Sequence, residues 1–310
     1  MQRSLYVSLL LSFLFFSNST FAQDKSLAER LGYAKTDKLL IIHADDIGLS
    51  QSENAASIDA FKIGLVNSGS IMVPCPWFPE IANYAKENPD LDLGLHLTVT
   101  SEWKNFKWGG SAEDKASSLE TPQGFLYDNC TDFGKNAKLE EVELELRAQI
   151  ERAIAFGIQP THLDSHMGCL FFQSPDLFRL YLQLGREYKI PVLLSKEFQA
   201  GLPAEVAQYI SEEDLIIDRI IGAGEQNYAD GLADFYANAL RSLQPGITEI
   251  IIHVAYDNSE MQAICVDHPG WGATWRQQDF DFFTSERCRK IIEEEGIKLI
   301  TWREIGKLLR

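Results

Sequence analysis

The sequence predicts an α/β chain folded as a single-domain (β/α) barrel, TIM-like and distorted in places. Apolar, β-branched runs that look buried on both faces alternate with amphipathic stretches of helical length, and eight such runs can be counted. Strict alternation of this kind implies a parallel sheet, and eight repeats suit a closed or nearly closed barrel. The competing architecture is a doubly wound open sheet. Its nucleotide-binding version needs a glycine fingerprint or phosphate loop after the first strand, where His43-Ala-Asp-Asp-Ile-Gly-Leu-Ser50 stands instead.

In order, the strands are expected at 39–44, 70–73, 91–99, 161–164, 191–194, 215–221, 248–254 and 298–301. Helices are expected at 53–63, 78–87, 139–156, 176–188, 204–210, 228–243 and 280–295, with a short last one from Trp302. Gly157 closes the long Glu-rich helix, and Pro175-Asp176 opens the next, as helix ends and starts require. The polar stretch 101–136, with Trp103, Phe106, Trp108, Phe125, Tyr127 and Phe133, reads as an excursion from the barrel. Loops over the carboxyl ends of barrel strands commonly carry substrate contacts.

Residues 1–22 are excluded from this reading. Arg3, an apolar run from Leu5 to Phe16, and a small-and-polar end at Ala22 form the pattern of a cleaved secretory signal. The run is about a dozen residues where a membrane span needs about twenty. A mature domain of residues 23–310 is therefore expected outside the cytoplasm, in the periplasm or secreted, with no stable membrane span after cleavage. Of the 310 residues, 28 are Lys or Arg and 45 Asp or Glu, a formal charge of −17. That balance argues against nucleic acid as a partner, because neutralising phosphates needs a basic face. Most of the acids fall on expected helices and read as a solvated shell. Five cysteines (75, 130, 169, 265 and 288) lack zinc-finger or CxxC spacing, so at most two disulfides are expected and most are read as buried thiols. A homodimer is left open.

The histidines and aspartates are more informative. His43, His96, His162, His166 and His253 lie in or just after expected strands, and His268 in the next loop. The carboxyl ends of barrel strands converge on one mouth, so distant residues can surround one ion. Asp46, His96 and His166 are the expected ligands of a divalent metal, Zn or Mg. Asp45, placed by strand alternation on the opposite side of the backbone, is expected to stay off the metal and act as base. His43, His162, Asp164 and Glu249 are expected behind them.

At these residues the chain resembles the YdjC-like carbohydrate deacetylases, which include chitooligosaccharide deacetylase. The resemblance runs through His43-Ala-Asp-Asp-Ile-Gly-Leu-Ser50 with Asn54, Gly64-Leu-Val-Asn-Ser-Gly-Ser-Ile-Met72, Leu93-Gly-Leu-His-Leu-Thr98, Arg147-Ala-Gln-Ile150 and Gln159-Pro-Thr-His-Leu-Asp-Ser-His166. It implies a distorted (β/α) barrel, an Asp-His-His metal site, removal of N-acetyl groups from amino sugars, and the same assignment of Asp45, Asp46, His96 and His166. Departures are visible too: Met167-Gly-Cys169 follows His166 where further histidines are usual, Ser195-Lys196 stands where the family usually has an Arg, and His-Pro-Gly comes late, at His268. Either His253 or His268 can then be the proton donor to the leaving amine. Trp77, Trp103, Trp108, Trp271 and Trp275 are candidates for stacking on an acetylated amino-sugar substrate. The rival readings are a metal hydrolase of another ester or amide bond, and a secreted carbohydrate-binding protein without turnover. Glycoside hydrolysis needs paired carboxylates but not these histidines.

Overall fold

The computed structural model describes residues 25–112 and 115–309, so the expected signal segment lies outside the described residues. Among the described residues there are seven strands: β1 (Lys38–Ile47), β2 (Ser68–Ile71), β3 (Leu93–Leu97), β4 (Leu163–Ser165), β5 (Arg219–Gly222), β6 (Gly246–Ile252) and β7 (Lys298–Leu299). They run in the order β4-β3-β2-β1-β6-β5, every pairing is parallel, and β7 pairs with β1. The sheet curls into a half-barrel with helices around it, a distorted TIM-like barrel.

The distortion has a local cause. The strand expected at 191–194 is reduced to single bridges, Leu163 to Val192 on one side and Ser195 to Ile217 on the other. Pro191 has no N–H to donate, so only its carbonyl serves the ladder, accepting from Leu163 N–H at 2.9 Å. The expected 215–221 strand likewise becomes regular only from Arg219. Two expected helices are each split. Gly231, at φ +109°, separates Glu225–Asp230 from Leu232–Arg241, and Ser285 caps a second helix, Glu286–Glu294, after Ala273–Phe283.

Alternation along β1 sets the two layers. Leu40, Ile42 and Ala44 pack with the helices, whereas Leu39 and Ile41 pack with Ile217, Ile247, Ile300 and Trp302 in a second cluster that plugs the barrel interior. Asn67 joins three strands, accepting from Ile42 N–H at 2.8 Å and donating to the Ile300 carbonyl at 2.7 Å.

The 101–136 excursion folds back over the mouth. Its anchor is the helix Leu139–Ala155, where Glu145 is fully buried and accepts from the N–H groups of Ser111 and Ala112, each at 2.8 Å. Gln149, one turn on, exchanges hydrogen bonds with the Thr98 backbone. Glu145 thus departs from the solvated acidic shell: buried loop N–H groups need acceptors, and a carboxylate supplies two. A disulfide joins Cys130 to Cys169, and Cys75, Cys265 and Cys288 are buried thiols. Among the described residues no helix is long and apolar enough to cross a membrane.

Candidate active site

By strand alternation Asp46 would point toward the helices, away from Asp45. The register of β1 against β2 shifts between Ala44 and Ile47, and Asp46 takes φ +64° in the left-handed region. An irregularity of this kind re-aims a side chain, and here both carboxylates reach the same cavity. The premise that the backbone would separate them is therefore corrected. This cavity, about 610 Å³, opens at the carboxyl ends of the strands and includes Asp45, Asp46, His96, Asp164, His166, His253 and His268 in its wall.

Asp46, His96 and His166 come together as one set. Asp46 Oδ1 lies 3.2 Å from His166 Nδ1 and 3.4 Å from His96 Nε2, and it has no hydrogen-bond partner although it is buried. Each imidazole uses its other nitrogen on a carboxylate: His96 Nδ1 on Asp164 Oδ1 at 2.6 Å, His166 Nε2 on Glu102 Oε2 at 3.0 Å. An ionised carboxylate only accepts, so those nitrogens donate, and the facing nitrogens can offer lone pairs once a cation takes the place of the proton that the surrounding carboxylates favour there. Three converging donor atoms, one of them an orphaned carboxylate oxygen, fit a divalent cation. Two further sets lie close enough for an ion by distance, His43-His162-Asp164 and Asp45-His96-Asp164.

Electrostatics support the ionised form of this corner. Burial opposes charge on Asp46, yet the Arg276 guanidinium, with the His166 and His96 imidazoles close by, holds its carboxyl well below the usual range. Arg276, fully buried on the helix Ala273–Phe283, donates to Asp46 Oδ2 at 2.8 Å, to the Trp271 carbonyl at 2.7 Å and to Glu53. Burial also opposes charge on His166, but Glu102 and Asp46 raise it to about 9. His253 goes the other way: burial, assisted by Arg276 and opposed by Asp46, lowers it to about 4.

His253 Nε2 is 3.9 Å from Asp45 Oδ2, and the His253 backbone N–H donates to Asp279 Oδ2 at 2.9 Å. His268 donates from Nδ1 to the Gly270 carbonyl at 2.7 Å and its ring lies 4.7 Å from that of Trp103. Asp45 accepts from Ser70 Oγ at 3.2 Å and lies 2.9 Å from His43 Nε2. Beneath the cavity, His43 also touches Asp164 at 3.2 Å, and burial raises the Glu249 carboxyl to about 7 while Trp302 donates to it at 2.6 Å. Burial and the neighbouring His43 hold His162 well below its ordinary value, so it is neutral. Gly94 makes room for it: a Cβ there would fall 2.5 Å from the His162 ring.

Of the five tryptophans expected to stack on the sugar, Trp103 and Trp271 line the cavity. Trp77, Trp108 and Trp275 do not. Trp108 is buried in the excursion beside Phe106, Trp275 is buried between Trp271 and Tyr228, and Trp77, half-buried, stands at the N-cap position of the helix Phe78–Glu87 without a side-chain hydrogen bond to it. A large indole is most often used as packing, as Trp108 and Trp275 are.

Glu102, Arg276 and Glu53 carry weight that the sequence did not announce. Glu102 adjoins Trp103 in the excursion, and an acid in a polar loop reads as solvated. Arg276 and Glu53 sit on helices, where a lone charge ordinarily faces water; their signal is only the tight run Trp271–Arg276 and the Ser50 cap just before Glu53.

The chain matches the YdjC-like protein family over residues 39–294. It is 30% identical over 288 residues to a carbohydrate deacetylase of Thermus thermophilus, covering 91% of this chain and 99% of the relative. A chitooligosaccharide deacetylase of Yersinia enterocolitica is 26% identical over 85% of this chain and 97% of its own length. A crystal structure from Enterococcus faecalis, described as that of a candidate cellobiose-phosphate cleavage protein, superposes with a TM-score of 0.71 at 25% identity, covering 87% of this chain and 99% of that one.

Proposed function

Because this chain belongs to the YdjC-like protein family, we propose that it is a carbohydrate deacetylase that hydrolyses the N-acetyl group of an amino sugar with the help of a divalent metal, Zn or Mg. The observation that carries the reading is the orphaned Asp46 Oδ1 facing two imidazole nitrogens whose opposite nitrogens are committed to Asp164 and Glu102. Asp46, His96 and His166 would hold the ion. When bound, such an ion supplies Lewis acidity toward the acetyl carbonyl and lowers the pKa of a water molecule.

The remaining chemistry belongs to side chains of this chain. Asp45, oriented by Ser70 and His43, accepts the proton of the attacking water. His253, neutral at pH 7, can take up a proton from this corner and deliver it to the departing amine. His268, whose Nε2 is free of the bond that Nδ1 makes, is the other candidate for that delivery. Trp103 and Trp271 flank the place where the sugar would lie.

We further propose that residues 1–22 are a cleaved signal, that 23–310 form the one mature domain, and that the protein works in the periplasm or outside the cell. The Cys130–Cys169 disulfide supports this, since such bonds persist in oxidising compartments. Metal analysis combined with acetate release from N-acetylated oligosaccharides tests the activity. Bound metal with stoichiometric acetate is expected; no metal and no acetate, even from metal-supplemented enzyme, overturns the reading.

A further inference from the structure

One wall of the reaction cavity differs from the rest. Beyond His166 the backbone turns back through Met167 and Gly168, both in the left-handed region, and enters a one-turn helix that ends at Phe172. Met167, Phe171, Phe172, Leu194 and Phe198 line the cavity on this side. Phe171, Phe172 and Phe198 form one aromatic group, with ring centroids 5.4 to 6.1 Å apart. The group does not close over itself: Phe172 is 69% exposed and Met167 49% exposed. Large apolar side chains left open to water beside a buried polar centre mark a binding surface.

The charges in the same cavity restrict what binds there. Asp45, Asp46, Glu102 and Asp164 face it, and its one guanidinium, Arg276, has its nitrogens committed to Glu53, Asp46 and the Trp271 carbonyl. No uncommitted Lys or Arg lines the cavity among the described residues. Along this wall, away from the ion's place at Asp46, His96 and His166, a phosphate or carboxylate on the substrate would therefore meet no Lys or Arg partner and the like charge of these acids.

We propose that this wall is a subsite for an apolar group attached to the sugar, so that the substrate is a neutral amphiphilic glycoside, an N-acetylated amino sugar carrying an alkyl or aryl substituent. This rests on the deacetylase reading of the same cavity. The openness of the wall at Phe172 places the group on the outward side of the sugar, where a chain can run into solvent, and not on the acyl side, which must be enclosed at Asp46, His96 and His166.

The test is acetate release by metal-supplemented enzyme from N-acetylglucosamine and from its methyl, butyl and octyl β-glycosides, kept below their micelle concentrations. kcat/KM is expected to rise by roughly threefold per added methylene until the wall is covered. Phe172→Ser should flatten that rise, and since the side chain is mostly exposed the variant should fold. Phe125→Ser, another exposed phenylalanine but outside the cavity, should keep it. A flat series in the wild type, or a slope that survives Phe172→Ser, overturns the subsite. A rise that follows the length of the N-acyl group or the number of sugar units, and is lost in Phe172→Ser, overturns its assignment to the outward substituent. Should no substrate release acetate, the deacetylase reading fails by itself. Calorimetric binding of the octyl glycoside, weakened in Phe172→Ser, still supports the subsite, and unchanged binding overturns it.

Discussion

Two histidine and carboxylate clusters of nearly the same composition lie one above the other in this barrel, and only the upper one has the character of a reaction centre. In the lower cluster, His43 is enclosed by Ser68, Ser70, Asp45 and Asp164, and His162 by Thr161, Trp302 and the space that Gly94 leaves. Neither ring reaches the cavity. In the upper cluster, His96 and His166 each give one nitrogen to a carboxylate and turn the other toward Asp46, at the cavity wall. Proximity of donor atoms is common to both. Both also hold a buried carboxylate oxygen without a hydrogen-bond partner, and His162 Nε2 is unpartnered too; what separates them is access from the cavity, so the upper group can exchange a proton for an ion while the lower group is enclosed.

Substitutions should separate the clusters in this order. Asp46→Asn and His166→Ala are expected to abolish bound metal and turnover together, as read by elemental analysis and acetate release. His43→Gln should keep the metal and lower the melting temperature instead, because removing one partner of a buried charge costs about 3–5 kcal/mol. If His43→Gln strips the metal, the division between clusters is wrong. Asp45→Asn, between them, should retain metal while turnover drops by about 10²–10⁴-fold; loss of metal there, with retention in Asp46→Asn, would exchange the two roles.

Glu102→Ala should weaken metal affinity by about 10–100-fold in a chelator titration, since it frees His166 to rotate and shift tautomer. The smallest effect belongs to the lower cluster. Burial raises Glu249 to about 7, against an unfolded value of about 4. The fold thus favours the protonated acid, a contribution complete below the unfolded value and lost as pH rises through about 7. Glu249→Gln, which does not titrate, should flatten the melting temperature between pH 4 and pH 7. An unchanged slope would show that another group is responsible.

The clusters were unequally legible. Strand order and the histidines were readable because each sits in a β-branched run or at its end, where period and chemistry coincide, as in Leu93-Gly-Leu-His-Leu-Thr98. The path of Asp46 was not, since a left-handed Asp inside a strand contradicts the alternation on which the reading depends. Neither were Arg276 and Glu53, distant in sequence and placed on helices; they meet where the helix Ala273–Phe283 packs against the helix Gln51–Ile63. The tryptophans show the converse error. Aromatic residues near a mouth were read together as sugar platforms, but Trp108 and Trp275 are fixed in the packing by neighbours that composition does not reveal.

The bond between Cys130 and Cys169 also has a topological consequence. It closes a covalent ring whose ends are 39 residues apart in sequence, and the ring holds Glu145, His162, Asp164 and His166, while Asp45, Asp46, His96 and Glu102 lie outside it. By the loop-entropy relation this cross-link is worth about 4 kcal/mol against the denatured chain. A protease cut within the ring would leave both fragments travelling as one species until a reductant is added, and chain made in a reducing compartment would lack a tether between the excursion and His166.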